Sequence, residues 1–359
     1  MRQQPISAPS HVGGYPQSCL RPILCYLVAV NWLLILLLSA VAESVAPPPA
    51  TPPTDPASSQ TQTTSEPPED PLYEELRKVL VLDDEAQDEV DQWIRTEQQF
   101  RAAGGGIGDA TLRARVLQRL QTVRKAYEDF VFLHPKHVPA RIAFGSFLND
   151  TGDETGAQEH WEKAGELEPD NPAVWNNLAT LYGHGGPIAK AFEYYEKAIA
   201  LNSREPTYYQ NLATTVFLFR KDAMEYYRCD EPAVFDRSLD LYRKAIALKP
   251  DDFVLASDYA MSFYGIKPPQ SLDSDARQKA QDKLNQDAIA AWEVALNIPG
   301  DDVQREGVHV HLARIKMNAG QFAQARAHLD AISNPGYAEI KGVLTRNLEE
   351  KEAKQQSSP

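Results

Sequence analysis

Between His137 and Pro206 the order of apolar and polar positions is written twice, at a spacing of 34 residues. Arg141 aligns with Trp175, Phe144 with Leu178, Gly145 with Ala179, and Leu148 with Tyr182. Beyond a glycine in each copy (Gly152, Gly186), Ala157 aligns with Ala191, Trp161 with Tyr195, Ala164 with Ala198, and Pro169 with Ser203. In the second copy Trp175, Leu178, Ala179 and Tyr182 fall at i, i+3, i+4 and i+7, one face of a helix. Gly185–Gly186–Pro187 ends that helix, because glycine tolerates positive φ and proline suits a first turn but not an interior. A second helix over 190–201 carries Ala191 and Ala198 on one stripe with Tyr195 between them. Small residues at the contact let two axes approach, and the neighbouring aromatics fill the flanking grooves. Neither helix buries its stripe alone, so neighbours are needed on both sides and all of these residues are expected in the core.

A fixed period in this range marks a stacked repeat array. The order large–large–small–large, glycine, small–large–small, proline resembles the tetratricopeptide repeat, a helix–turn–helix unit. That resemblance implies an all-α fold, a solenoid in which about five units wind into a right-handed superhelix. The clear units are 138–171 and 172–205. A third, 206–252, opens with Tyr209, Leu212, Ala213 and Val216 and continues with Ser238, Tyr242 and Ala245 after an insertion near 224–233. A fourth, 253–302, has Tyr259, Ala260 and Phe263, an insertion near 265–280, then Ala288, Trp292 and Ala295. A fifth, 303–336, has Leu312, Ala313, Gly320, Ala325 and Leu329. The array so read covers 138–336, and residues 337–359 are a polar closing helix and tail.

Ahead of the array, 72–137 reads as helices leading into it. Two are expected, over 72–82 and 85–103, with Asp83, Asp84 and Glu85 acting as solvated caps at a helix start. Gly104–Gly105–Gly106–Ile107–Gly108 reads as a flexible joint, with no preceding strand to make it a phosphate loop. Asp109 is expected to cap a helix running to about Leu133, whose later part (Val123, Tyr127, Phe130) is in phase with the second half of a degenerate first unit.

The N-terminus is a different kind of sequence. Residues 1–21 are short and polar, and 22–42 are almost unbroken apolar, long enough to span a bilayer. Ala40–Val41–Ala42 is a small-x-small site before Glu43, so a cleaved signal peptide and a retained transmembrane anchor both stay open. Either reading puts the repeats on the extracytoplasmic side, periplasmic or extracellular, with possible tethering by 23–42. Residues 43–71 form a Pro/Thr/Ser-rich linker that cannot build a core.

With 36 basic and 50 acidic residues the net charge is −14, and no basic run is present to bind nucleic acid. Cys19 and Cys25 lie in the leader, which leaves Cys229 without an internal disulfide partner. No motif for metal, cofactor or small-molecule substrate is found. His309 and His311, two apart on a helix, point in different directions and cannot share a metal. The resemblance instead implies a concave groove lined by the first helix of each unit. Carried over position by position, the groove offers Asn176, Asn177, Thr180 and His184, then Thr207, Gln210, Asn211 and Thr214. Farther along come Ser257, Asp258 and Met261, and finally His311, Arg314 and Asn318. A side-chain amide both donates and accepts, so the recurring Asn177 and Asn211 suit the backbone of an extended peptide. The cations that some relatives use on a partner's terminal carboxylate are replaced at the early units by Ile142, Ala143, Ser146, Asn177, Thr207 and Asn211.

The resulting expectation is a non-enzymatic protein–protein interaction scaffold that takes a peptide or protein segment in this groove. The alternative is a permanent structural subunit of a membrane-associated assembly. A third reading, an enzyme, would need a site in the insertions, where Tyr226, Tyr227, Cys229, Lys267 and Asp273 lie.

Overall fold

The computed structural model describes residues 71–357. The expectations for 1–21, the apolar segment 22–42 and the linker up to residue 70 lie outside the described residues. Those described fall into two compact units, 71–170 and 171–357. All their regular elements are helices.

In the first unit, α1 (Pro71–Ala102), α2 (Asp109–Leu133), α3 (Val138–Asp150) and α4 (Glu154–Leu167) follow in order. The two helices expected over 72–103 are one. No glycine or proline interrupts the run, and Asp83 is not a cap. Its carboxylate accepts from Tyr127 Oη of α2 at 2.8 Å and from Gln87 Nε2 at 3.2 Å. Burial pushes the Asp83 carboxyl above its ordinary range, against the pull of those two hydrogen bonds.

The glycine-rich joint is also more ordered than expected. Buried Glu97 accepts from the backbone N–H of Ile107 at 2.9 Å and of Gly108 at 3.1 Å. Gly106 and Gly108 adopt φ of 116° and 82°, which a side chain would resist. The loop thus uses its amides on the protein's own carboxylate. Asp109 does not cap α2: Gly108 holds that position without a side chain, and Asp109 pairs with Arg101 instead.

The α3/α4 hairpin shows how the small–large pattern works. Trp161 lies against Gly145, where an added Cβ would come within 2.4 Å of Nε1, and that Nε1 donates to the Ile142 carbonyl at 3.1 Å. Tyr127 stacks on Phe144 at 5.3 Å and 8°.

The second unit begins with α5 (Pro172–Gly185) and α6 (Ile188–Leu201), the sharpest copy of the repeat. Next come α7 (Pro206–Leu218), α8 (Arg220–Tyr227) and α9 (Glu231–Leu248). The remaining helices are α10 (Phe253–Ser262), α11 (Ser274–Asn297), α12 (Asp302–Asn318), α13 (Phe322–Asp330) and α14 (Ala338–Ser357). The first helix of each hairpin starts from a side-chain cap. Asn171, Glu205, Asp252 and Asp301 accept from N–H groups of the opening turns of α5, α7, α10 and α12. Ala179, Ala191, Phe192, Tyr195, Leu212 and Ala213 then bury one another, and Val216, Tyr242 and Ala245 extend the same core.

Two expectations are corrected here, and the insertions acquire a structure. The α5–α6 turn does not use left-handed glycine: Gly186 has φ of −114°, unlike Gly152 at 86°, and the break comes from Pro187. Trp175 and Tyr182 are only half-buried; Lys197 Nζ lies 3.2 Å from the Trp175 ring centroid. The insertions are largely helical. The first adds α8, and the second lengthens α11 beyond an ordinary repeat helix.

Two outcomes test this account. Gly145→Ala should lower unfolding free energy by about 1–3 kcal/mol through overpacking against Trp161, read by denaturant titration. Burial raises the Asp150 carboxyl to about 7, with the Asp83 charge adding and Asn149 opposing. The folded state therefore holds a proton that the unfolded state has released, so stability should rise as pH falls from above 7 toward the ordinary carboxylate range. Asp150→Asn should flatten that dependence in thermal melts between pH 5 and 8.

Candidate functional site

The first helices of the second unit, α5, α7, α10 and α12, carry most of the expected groove residues. Local geometry places them: on each helix they occupy positions beside, not within, the alanine and leucine stripe that faces the second helix. Asn176, Asn177 and Thr180 are half-buried on α5, and His184 is exposed at its end. On α7, Thr207, Gln210, Asn211 and Thr214 are all half-buried. On α10, Ser257, Asp258 and Met261 are half-buried as well.

These side chains interlock. Asn211 Nδ2 donates to Asn176 Oδ1 at 2.9 Å, and Asn176 Nδ2 donates to Asn177 Oδ1 at 3.3 Å. Gln210 Nε2 donates to Asp258 Oδ2 at 2.8 Å, linking α7 to α10. Burial raises the Asp258 carboxyl, against the pull of the Gln210 bond. Thr207 lies in the opening turn, its N–H donating to Glu205 Oε1 at 3.2 Å.

Beneath this row lies a second layer that sequence reasoning missed. Thr180 Oγ1 meets Tyr195 Oη at 3.0 Å, and Thr214 Oγ1 meets Tyr242 Oη at 2.8 Å. The two threonines occupy equivalent positions of consecutive repeats, as do the two tyrosines. Choosing Tyr over Phe at a buried position beside a recurring Thr was the available signal. Ser238 plays a related part: fully buried at a small-residue position, its Oγ donates to the Ala213 carbonyl at 2.9 Å.

The fifth-unit residues divide. Arg314 is half-buried and Asn318 exposed. His311, expected to line the groove, is instead buried: its ring stacks on Trp292 at 4.2 Å and 4°, and Nδ1 contacts Tyr264 Oη at 3.0 Å. Burial, with the Arg314 charge adding, lowers its pKa to about 4, so this imidazole is neutral at pH 7. His309 points elsewhere, with Nδ1 2.8 Å from Nδ1 of His328. No group of three or more metal-ligating side chains is assembled among the described residues.

The insertion residues do not converge on a site. Tyr226 and Tyr227 donate to Glu196 at 3.3 and 3.1 Å, and Arg237 reaches the same carboxylate at 2.7 Å, pinning α8 to α6. Cys229 is half-buried against the core, Asp273 caps α11, and Lys267 is exposed.

Residues 172–205, the α5/α6 hairpin, match the sequence profile of the tetratricopeptide repeat. This hairpin is a tetratricopeptide repeat. Among solved structures the chain is similar to YrrB, described as a tetratricopeptide protein with an unusual peptide-binding site, at 13% identity over 62% of this chain and 99% of that one (TM-score 0.44). A thermophilic tetratricopeptide protein of Thermus thermophilus is similar at 16% identity over 60% of this chain and 98% of that one (TM-score 0.38). MamA is similar at 18% identity over 53% of this chain and 94% of that one (TM-score 0.37). No curated protein sequence matches the chain.

The amide link between consecutive repeats has a measurable weight. Asn211→Ala should cost about 1 kcal/mol of stability. A double-mutant cycle with Asn176→Ala in urea titrations should show coupling, and strict additivity would mean that the link contributes nothing.

Proposed function

We propose that this tetratricopeptide protein is a non-enzymatic interaction scaffold whose second unit holds an extended peptide or protein segment along α5, α7, α10 and α12. The observation that carries this reading is the amide row Asn177–Asn176–Asn211. A primary amide has two donors and two acceptor lone pairs. The Asn176–Asn211 bond therefore positions both side chains while leaving them capacity for a backbone N–H or C=O. Contacts of that kind recognise chain conformation more than side-chain identity. A permanent subunit interface would instead be large and apolar, whereas this face is lined by amides and hydroxyls. Tyr226, Tyr227 and Asp273 of the insertions are engaged in separate structural contacts, which supports a binding role over a catalytic one.

The proposal includes a location outside the cytoplasm, with the apolar 22–42 segment directing export or holding the chain to a membrane. Among the described residues no helix is long and apolar enough to cross a membrane.

Two experiments follow. A peptide array probed with the full chain should yield ligands whose affinity falls about tenfold or more in the Asn176→Ala/Asn211→Ala variant, the equivalent of one or two lost hydrogen bonds; undiminished binding would sink the groove reading. N-terminal sequencing of the mature protein from fractionated cells should find it beginning at Glu43 or retained in membranes. A soluble cytoplasmic chain that still carries residues 1–42 would refute the location.

A further inference from the structure

Where the row of first helices ends, α12 and the closing helix α14 leave a cavity of about 380 Å³ between them. Its floor is apolar: Met317 and Leu344 are buried, and Ile340 and Val343 are half-buried beside them. Arg314, Lys351 and Lys354 stand around it, opposed by Glu350 alone. In a chain of net charge −14 this is a local reversal of sign. Ile340, Val343, Leu344, Asn347, Lys351 and Lys354 follow helical spacing, so one face of α14 grades from apolar to basic along the cleft. Lysines in a last turn also suit the helix dipole. That does not account for Arg314, which belongs to α12, nor for Lys351, whose Nζ reaches across the cleft to Asn318 Oδ1 at 3.1 Å. Arg314 and Asn318 are also positions that the repeat resemblance assigns to the groove.

We propose that this pocket receives an acidic segment of a partner protein, with an apolar side chain seated on the floor and carboxylates paired to the basic rim. The inference rests on the peptide-groove reading and adds the partner's chemistry at one end of it. Cations over an apolar floor hold a carboxylate in partly dehydrated surroundings, where the attraction exceeds that at an open surface.

The test uses the full chain and two fluorescein-labelled octapeptides in anisotropy titrations. One is Ser-Gly-Ser-Glu-Glu-Leu-Glu-Asp, and the other replaces its acidic residues by lysine. The acidic probe should bind at least about tenfold more tightly, and added salt should weaken it as for any ion-paired contact. Lys351→Glu/Lys354→Glu, two exposed substitutions on a helix, should reduce its affinity about tenfold, as expected for several exposed ion pairs lost together. The exposed Lys163→Glu change should leave it unaltered. Replacing the probe's leucine by glycine should also weaken binding, since the floor then loses its occupant. Equal binding of the two probes, or full affinity in the double lysine variant, would overturn the inference. If the acidic probe is weakened by Asn176→Ala/Asn211→Ala but not by the lysine reversals, the pocket assignment falls and the groove reading stands. The opposite pattern removes the groove reading, and with it the inference as an extension of that groove.

Discussion

Mutual burial of small-residue stripes is the constraint on which the second unit depends. Ala191 and Ala198 are wholly buried, and the absence of bulk there brings α6 close enough to α5 for Tyr195 to lodge between helices. Ala213, Ala245, Ala260 and Ala295 repeat this condition farther along, each fully buried. A larger side chain at any of them would separate two axes and disturb the next hairpin too, because each helix pair is both covered by one neighbour and the cover for another. Where the small residue is a serine, at position 238, its hydroxyl answers a backbone carbonyl, so close approach is kept without an orphaned polar atom.

That close approach also positions the polar face. Once the stripes are seated, residues one helical step away meet their counterparts on the next first helix, which is how Asn211 comes to hydrogen-bond Asn176 and Gln210 to reach Asp258. The Thr180–Tyr195 and Thr214–Tyr242 contacts tie this face to the second helices behind it. The same packing that gives the unit its stability therefore fixes the spacing and orientation of the polar groups on this face, so that under the proposed function little side-chain freedom would remain to be lost on binding.

The first unit shows a different use of polar groups. Asp83, Tyr127 and Gln87 form a hydrogen-bonded cluster against the core, and Glu97 organises a glycine loop from inside. These carboxylates lie in a stretch where hydrophobic periodicity is plain but no repeat is. Reading Asp83 as a solvated cap followed the usual preference of acidic side chains for helix starts, and the fold instead used it as an internal acceptor. Asp150 continues the theme, its proton affinity raised by the burial that α3 undergoes.

Periodicity alone carried the helix–turn–helix arrangement and the small–large contacts, because a helix maps sequence spacing onto its faces by local geometry; the polar groove positions came from the tetratricopeptide resemblance. Trp161, Ala191 and Tyr195 had nowhere else to go. What depends on atoms distant in sequence was not legible. The hydrogen bond that Asp83 accepts from Tyr127 joins residues 44 positions apart. The burial of His311 depends on Trp292 and Tyr264, and the meeting of His309 with His328 on the angle between α12 and α13. The basic pocket arises only because α14 folds back alongside α12, bringing Lys351 to Asn318 across 33 positions of chain. Spacing records which residues share a face; which faces meet, and what they do to each other's charge, is decided by the packing of whole helices.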